Sequence, residues 1–207
     1  MTAITIFSII VLVFSVVVHE VSHGYIAYRF GDLTAKYQER LTFNPLKHID
    51  PIGSIILPFI MSLLPGGLIL GWAKPVPINP YNFKNRKLGE FATAFAGPLS
   101  NIFIASIFIV LVRLSGNLGL SSTFIELSLV VILINTVLAC FNLMPVPPLD
   151  GYRIVALLLP QHLADRFEYF SQRFGLLIVL FFVLFLWDPI FMGVISVVEL
   201  LVGIKIL

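Results

Sequence analysis

Four runs of the chain, residues 3–28, 91–112, 123–143 and 174–206, stay apolar for about twenty residues or more, the length a helix needs to cross the hydrocarbon of a bilayer. No other feature constrains the fold as strongly, because lipid offers the backbone no hydrogen bonds and only helices or closed barrels satisfy it there. Composition agrees: 58% of residues are hydrophobic and 12% charged, against roughly 25% charged in an ordinary soluble domain. The expected fold is an all-α polytopic membrane protein, with residues 1–207 forming one membrane-embedded domain, since no linker or charge block marks a second. The opening "MTAITIFSII" lacks the basic start of a signal peptide and reads as part of a retained span. In "PIGSIILPFIMSLLPGGLILGW" Pro58, Pro65, Gly66 and Gly67 leave pieces too short to cross, so residues 52–71 read as a re-entrant segment. "WDP" at 187–189 interrupts the apolar tail and predicts a tight hairpin of two short spans, for about five transmembrane helices in all.

Against that background residues 19–23, "HEVSH", stand out, because they close the uncharged stretch "TIFSIIVLVFSVVV". An ionised group at the centre of a span costs at least about 2.5 kcal/mol, so it needs a partner or a task. Residues four apart on a helix share a face, which lets His19 and His23 hold one ion. Glu20 points elsewhere yet stays close enough to reach water at that ion. This is the logic of H-E-x-x-H, in which two neutral imidazoles bind zinc and the glutamate takes a proton from the activated water. The competing reading is a packing histidine pair with a glutamate ion pair. Only four histidines exist in the chain, and two fall at this spacing inside a span.

A hydrolytic zinc site uses three protein ligands and one open position. The outstanding third candidate is Asp150 in "FNLMPVPPLDGYRI", where Pro145, Pro147 and Pro148 end a helix and Gly151 allows a turn. Asp150 reads either as a zinc ligand or as the N-cap of a short helix from about 152 to 159. Asn142 reads either as an amide donor to the oxyanion of an attacked peptide carbonyl or as a helix-terminal asparagine bonded to backbone. His48 and His162 lie in loops beside basic residues and read as solvated. Asn101, polar within a span, is expected to hydrogen-bond across helices. Cys140 is the only cysteine, which excludes an intrachain disulfide and argues against cysteine-based metal binding. A formal charge of +2 gives no basis for a nucleic-acid surface.

Taken in order, "HEVSHGYIAYRFGD", "GWAKPVPINPYNF", "AFAGPLSN" and "NLMPVPPLDGYRI" resemble the site-2 proteases, zinc metalloproteases that cut peptide bonds within or near the membrane. The resemblance spans nearly the whole sequence. It implies His19, His23 and Asp150 as ligands of one Zn2+ per chain, Glu20 as the catalytic glutamate and Asn142 as a candidate transition-state stabiliser. It also implies a membrane-anchored protein substrate, and a proline-rich loop at 74–80 beside the catalytic centre that aligns an extended substrate. PDZ and CBS domains occur in many members of that family, and this chain has no room for either.

Two other functions fit a membrane zinc site. A zinc carrier or sensor would need a second intramembrane cluster of His, Asp or Glu along a path across the bilayer, which the sequence lacks. A non-catalytic scaffold would have no need of Glu20. If the three ligand residues are to meet, the ends of the spans carrying them share one face of the bilayer. The basic residues of the loops, Arg113 excepted, then fall on that face, which the positive-inside rule makes cytoplasmic in a cell (inner) membrane. The N-terminus is expected outside, with the final hairpin returning Lys205 to the cytoplasm.

Overall fold

The computed structural model describes residues 2–62 and 71–206, and among these the architecture is entirely helical. In chain order the α-helices are α1 (Ala3–Arg29), α2 (Thr34–Tyr37), α3 (Leu57–Ser62), α4 (Arg86–Arg113), α5 (Ser115–Leu118), α6 (Ser122–Asn142), α7 (Asp150–Leu158), α8 (Gln161–Phe181) and α9 (Trp187–Val202). Four helical stretches are long and apolar enough to cross a membrane: α1, α4, α6 and the continuous run Arg173–Val202.

Local chemistry sets the helix ends. Thr2, Asn85 and Ser121 accept backbone N–H bonds from the first turns of α1, α4 and α6, satisfying donors that a helix start leaves free. At the other end of α1, Gly31 adopts φ +110°, its N–H donates to the Tyr28 carbonyl, and the Asp32 N–H reaches back to the Ala27 carbonyl. That pairing is a Schellman closure, which needs a residue free to take positive φ. It turns the chain sharply and leaves Asp32 facing back into the fold.

Helix α4 is the centre of the bundle and packs most extensively against α6 and α1. Its buried positions are small, with Ala94, Ala96, Gly97 and Ala105 facing inward. Association of helices in lipid depends on such close packing, because lipid tails are as apolar as leucine. An apolar cluster of Val112, Ile132, Val194, Val198 and Val202 ties α4, α6 and α9 together. Large apolar side chains such as Ile6, Phe14, Phe103 and Leu177 are exposed on the outside, as a lipid-facing surface requires.

The hairpin expected at "WDP" does not form. Helical backbone continues from α8 through a π-helical stretch, Phe182–Leu186, directly into α9. The π stretch has already displaced the regular hydrogen-bond ladder just before Pro189, so the missing proline N–H falls where the ladder is interrupted anyway. The tail therefore supplies one candidate crossing, and the described residues contain four instead of five.

This correction moves the C-terminus. Arg113, at the end of α4, donates from Nε to the Leu201 carbonyl (2.6 Å) and from Nη2 to the Leu200 carbonyl (3.0 Å). The C-terminal ends of α4 and α9 thus lie at the same end of the bundle. Lys205 follows directly and sits at the end opposite the C-termini of α1 and α6, contrary to the expected return.

The ends of the segment at 52–71 meet. The Trp72 N–H donates to the Gly53 carbonyl (3.1 Å), and the Ser54 hydroxyl donates to the Trp72 carbonyl (2.8 Å). The chain leaves and returns at one place, as a segment that does not cross must. The middle of the segment read as re-entrant, residues 63–70, lies outside the described residues.

Candidate metal centre

His19 and His23 are buried on one face of α1, one turn apart. Asp150, in the first turn of α7, comes to the same point across 131 residues of sequence. The His19 Nε2 and His23 Nε2 atoms lie 3.0 Å apart, and each is close to Asp150 Oδ2, at 3.1 and 3.2 Å. Among the described residues these three form the one group of His, Cys, Asp and Glu side chains arranged to hold an ion.

The outer hydrogen bonds determine which nitrogens are available. Asn101, fully buried on α4, donates its amide to the Ser15 carbonyl (3.3 Å) and to Asn135 Oδ1 (2.9 Å). Its Oδ1 must therefore face His19, 2.7 Å from Nδ1, which carries the proton. His23 Nδ1 lies 2.6 Å from the Thr93 carbonyl, which only accepts, so this nitrogen is also the donor. In the neutral form that metal ligation requires, both rings present Nε2 lone pairs to one another and to a carboxylate oxygen. Three such donors at this separation repel unless a cation lies among them. Tetrahedral coordination at roughly 2.0–2.1 Å per nitrogen places ligand atoms about 3.3 Å apart, close to the observed spacing. The chemistry of the donor set fits zinc. Asn101 and the Thr93 carbonyl are the kind of outer partner that orients ligating imidazoles.

Gly97 makes this approach possible. A Cβ at that position would be driven into the imidazoles of His19 and His23. Helix α4 reaches the two rings because this residue has no side chain.

Glu20 lies on the same turn of α1, half-buried, and its Oε2 accepts the backbone N–H of Val76 at 2.9 Å. The proline-rich loop is therefore in direct contact with this carboxylate. Asn142, the last residue of α6, donates its amide to the Leu138 carbonyl in its own helix (3.0 Å) and shares no recorded hydrogen bond with His19, His23, Glu20 or Asp150. His162 is exposed. His48 is buried, contrary to expectation, because its Nε2 donates to the Thr42 carbonyl and its own carbonyl receives the Lys74 N–H. Neither histidine joins the cluster.

Sequence reasoning did not find Asn135, although it is a polar residue in an apolar span just as Asn101 is. Nor did it find Thr93, which acts through its carbonyl and leaves no signal in side-chain chemistry.

The profile of Peptidase family M50 matches residues 117–182, the stretch that includes α6 and Asp150. A Bacillus subtilis (strain 168) protein named "Putative zinc metalloprotease YwhC" is 39% identical over 178 residues, covering 83% of this chain and 77% of the relative. "Putative zinc metalloprotease Rip2" of Mycolicibacterium smegmatis is 30% identical over 138 residues, covering 67% of this chain and 51% of the relative. No solved structure matches the chain. With the bacillus protein aligned over most of both lengths, the chain belongs to peptidase family M50, the site-2 proteases.

Proposed function

We propose that this protein is a zinc-dependent intramembrane endopeptidase that hydrolyses peptide bonds within or near the transmembrane segments of membrane-anchored proteins. The observation that carries this reading is the convergence of two Nε2 lone pairs and the Asp150 carboxylate inside a bundle of apolar helices, with Glu20 on the adjoining position of α1. His19 is about 15 Å along α1 from Arg29 at a 1.5 Å rise per residue, which sets the site within the bundle rather than at its edge.

His19, His23 and Asp150 would hold one zinc per chain. Zinc, when bound, supplies a Lewis acid that polarises the substrate carbonyl and acidifies the attacking water. Glu20 takes the proton from that water at its carboxylate and returns it to the leaving amine. Asn142 has a second amide hydrogen beyond the one given to Leu138, and this donor stabilises the oxyanion as the carbonyl is attacked. The extended loop at 74–80 holds the substrate in the unwound form that exposes its carbonyl. The protein lies in the cell (inner) membrane with the N-terminus outside and the site toward the cytoplasm, a reading supported by the excess of basic residues in the loops on that side.

The test is cleavage of a single-span substrate by the purified full chain in detergent or liposomes. Wild type should cut, and a chelator should stop it until zinc is restored. Glu20→Gln should reduce turnover by about 100-fold or more, the scale of a lost proton shuttle. Cleavage by Glu20→Gln at the wild-type rate would sink the assignment.

A further inference from the structure

The segment "KPVPIN", residues 74–79, is held at both ends by buried charged side chains that belong to neither the ligand set nor the proposed proton shuttle. At its start, Arg40 Nη2 donates to the carbonyls of Lys74 (2.8 Å) and Pro75 (3.3 Å). At its end, Asp32 accepts the Asn79 N–H (2.7 Å) and the Asn82 side-chain amide (2.8 Å), together with the Thr34 N–H (3.1 Å) and hydroxyl (2.5 Å). Asp32 is 1% exposed and Arg40 6%. Between these anchors Val76 is buried, and its N–H reaches Glu20 Oε2. Pro75 and Pro77 flank Val76 and fix φ on either side, so the segment behaves as a stiff strap and not as a slack loop.

Asp32 is brought here by the Schellman turn at Gly31, directly after the helix that carries Glu20. Both ends of the relay therefore start on α1, and the strap closes a loop from Asp32 through Asn79 and Val76 back to Glu20. We propose that Asp32 is a positioning residue for Glu20, acting through this strap to keep the Val76 N–H on Oε2 and to hold the other carboxylate oxygen toward the reacting water. The inference rests on the peptidase reading of Glu20. Without the anchor the strap lifts, the Val76 N–H leaves, and the carboxylate samples rotamers that do not face the reaction.

Asp32→Asn keeps the shape of the side chain but turns an NH2 toward groups that are themselves donors. In the full chain, kcat on a single-span substrate should fall about tenfold with zinc content unchanged and KM altered by less than about threefold, the pattern of lost positioning. Val76→Pro removes the same N–H from the relay. The double variant should be no slower than the slower single variant, within about twofold, since coupled residues act non-additively. Multiplying losses would overturn the proposal, as would wild-type kcat in Asp32→Asn.

Amide exchange supplies a readout independent of activity. In Asp32→Asn the Val76 and Asn79 amides should both exchange about tenfold faster, with α4 and α6 unchanged. Acceleration at Asn79 alone would show that Asp32 only tethers the loop, and would overturn the relay. If Asp32→Asn does not fold, Asn82→Ala removes one of the four bonds from an exposed partner and should give about threefold changes in the same direction. Failure of wild type to cut any substrate would count against the peptidase reading, while the exchange data would still decide the relay.

Discussion

Asn101 accepts the Nδ1 proton of His19 across 2.7 Å, and its amide group is already committed to Ser15 and Asn135. The asparagine cannot flip without breaking two bonds, so His19 is held in the one tautomer that offers Nε2 to a metal. Asn101→Ala should weaken zinc binding about 10- to 100-fold, the usual effect of losing an outer partner of a ligating histidine. Competition with a calibrated chelator measures it. Asn135→Leu should act in the same direction, but more weakly, since it removes only one of the two restraints on Asn101. Unchanged affinity in both would show that His19 is oriented by other means.

Gly97→Ala should lower zinc occupancy sharply, because the added methyl would occupy the space of the His19 and His23 rings. Gly116→Ala is the matching control, since a Cβ there meets nothing within 4 Å. Elemental analysis of the two purified variants separates a packing effect at the rings from a general intolerance of alanine. Full zinc in Gly97→Ala would mean that α4 can withdraw without cost to the site.

Acid should loosen the strap before it unfolds the bundle. Burial pushes the Asp32 carboxyl up, but hydrogen bonds from Thr34, Asn79 and Asn82 outweigh it and hold the group below the usual carboxylate range. An unfolded aspartate titrates near ~3.9. Asp32 therefore contributes stability that is complete above that value and is lost as pH falls through the lower folded value. The thermal midpoint of wild type should drop as pH is lowered from about 5 toward 2, and Asp32→Asn, already less stable at neutral pH, should show a shallower drop. Parallel curves would remove Asp32 from the acid response.

Arg113 and the end of α9 predict sidedness. With Cys140 replaced, single cysteines near Asn117 and Lys205 should react with an impermeant thiol reagent from one side of the membrane, and cysteines near Lys47, Lys84 and Gln161 from the other. Labelling of Lys205 together with Lys84 would restore the hairpin that the continuous helix rules out. Arg113→Leu should lower stability by about 1–3 kcal/mol, because it removes charge-assisted bonds to two terminal carbonyls.

These relationships were legible in the sequence to different degrees. The spacing of His19 and His23 dictates a shared helical face, so that half of the cluster follows from period alone. Asp150 was legible as a candidate, because three prolines and a glycine around it break the helix, but the 131 residues separating it from His19 hide the contact itself. Pro189 misled: proline interrupts a regular helix, and no local signal announces the π-helical stretch that absorbs it here. The bond from Val76 to Glu20 involves a backbone N–H, which every residue except proline possesses, so nothing in the side chain marks it. Nothing in the sequence around Asp32 and Arg40 marks them as buried, and only the fold of the 74–79 strap makes them anchors.

X-ray absorption at the zinc edge on the purified full chain tests the metal centre most directly. The expected result is one zinc per chain in a nitrogen and oxygen shell at about 2.0–2.1 Å, with the scattering signature of two imidazoles. That signal should be lost from His23→Ala and Asp150→Ala and retained in Glu20→Gln. A sulfur ligand, fewer than two imidazoles, or full zinc in Asp150→Ala would contradict the site formed by His19, His23 and Asp150.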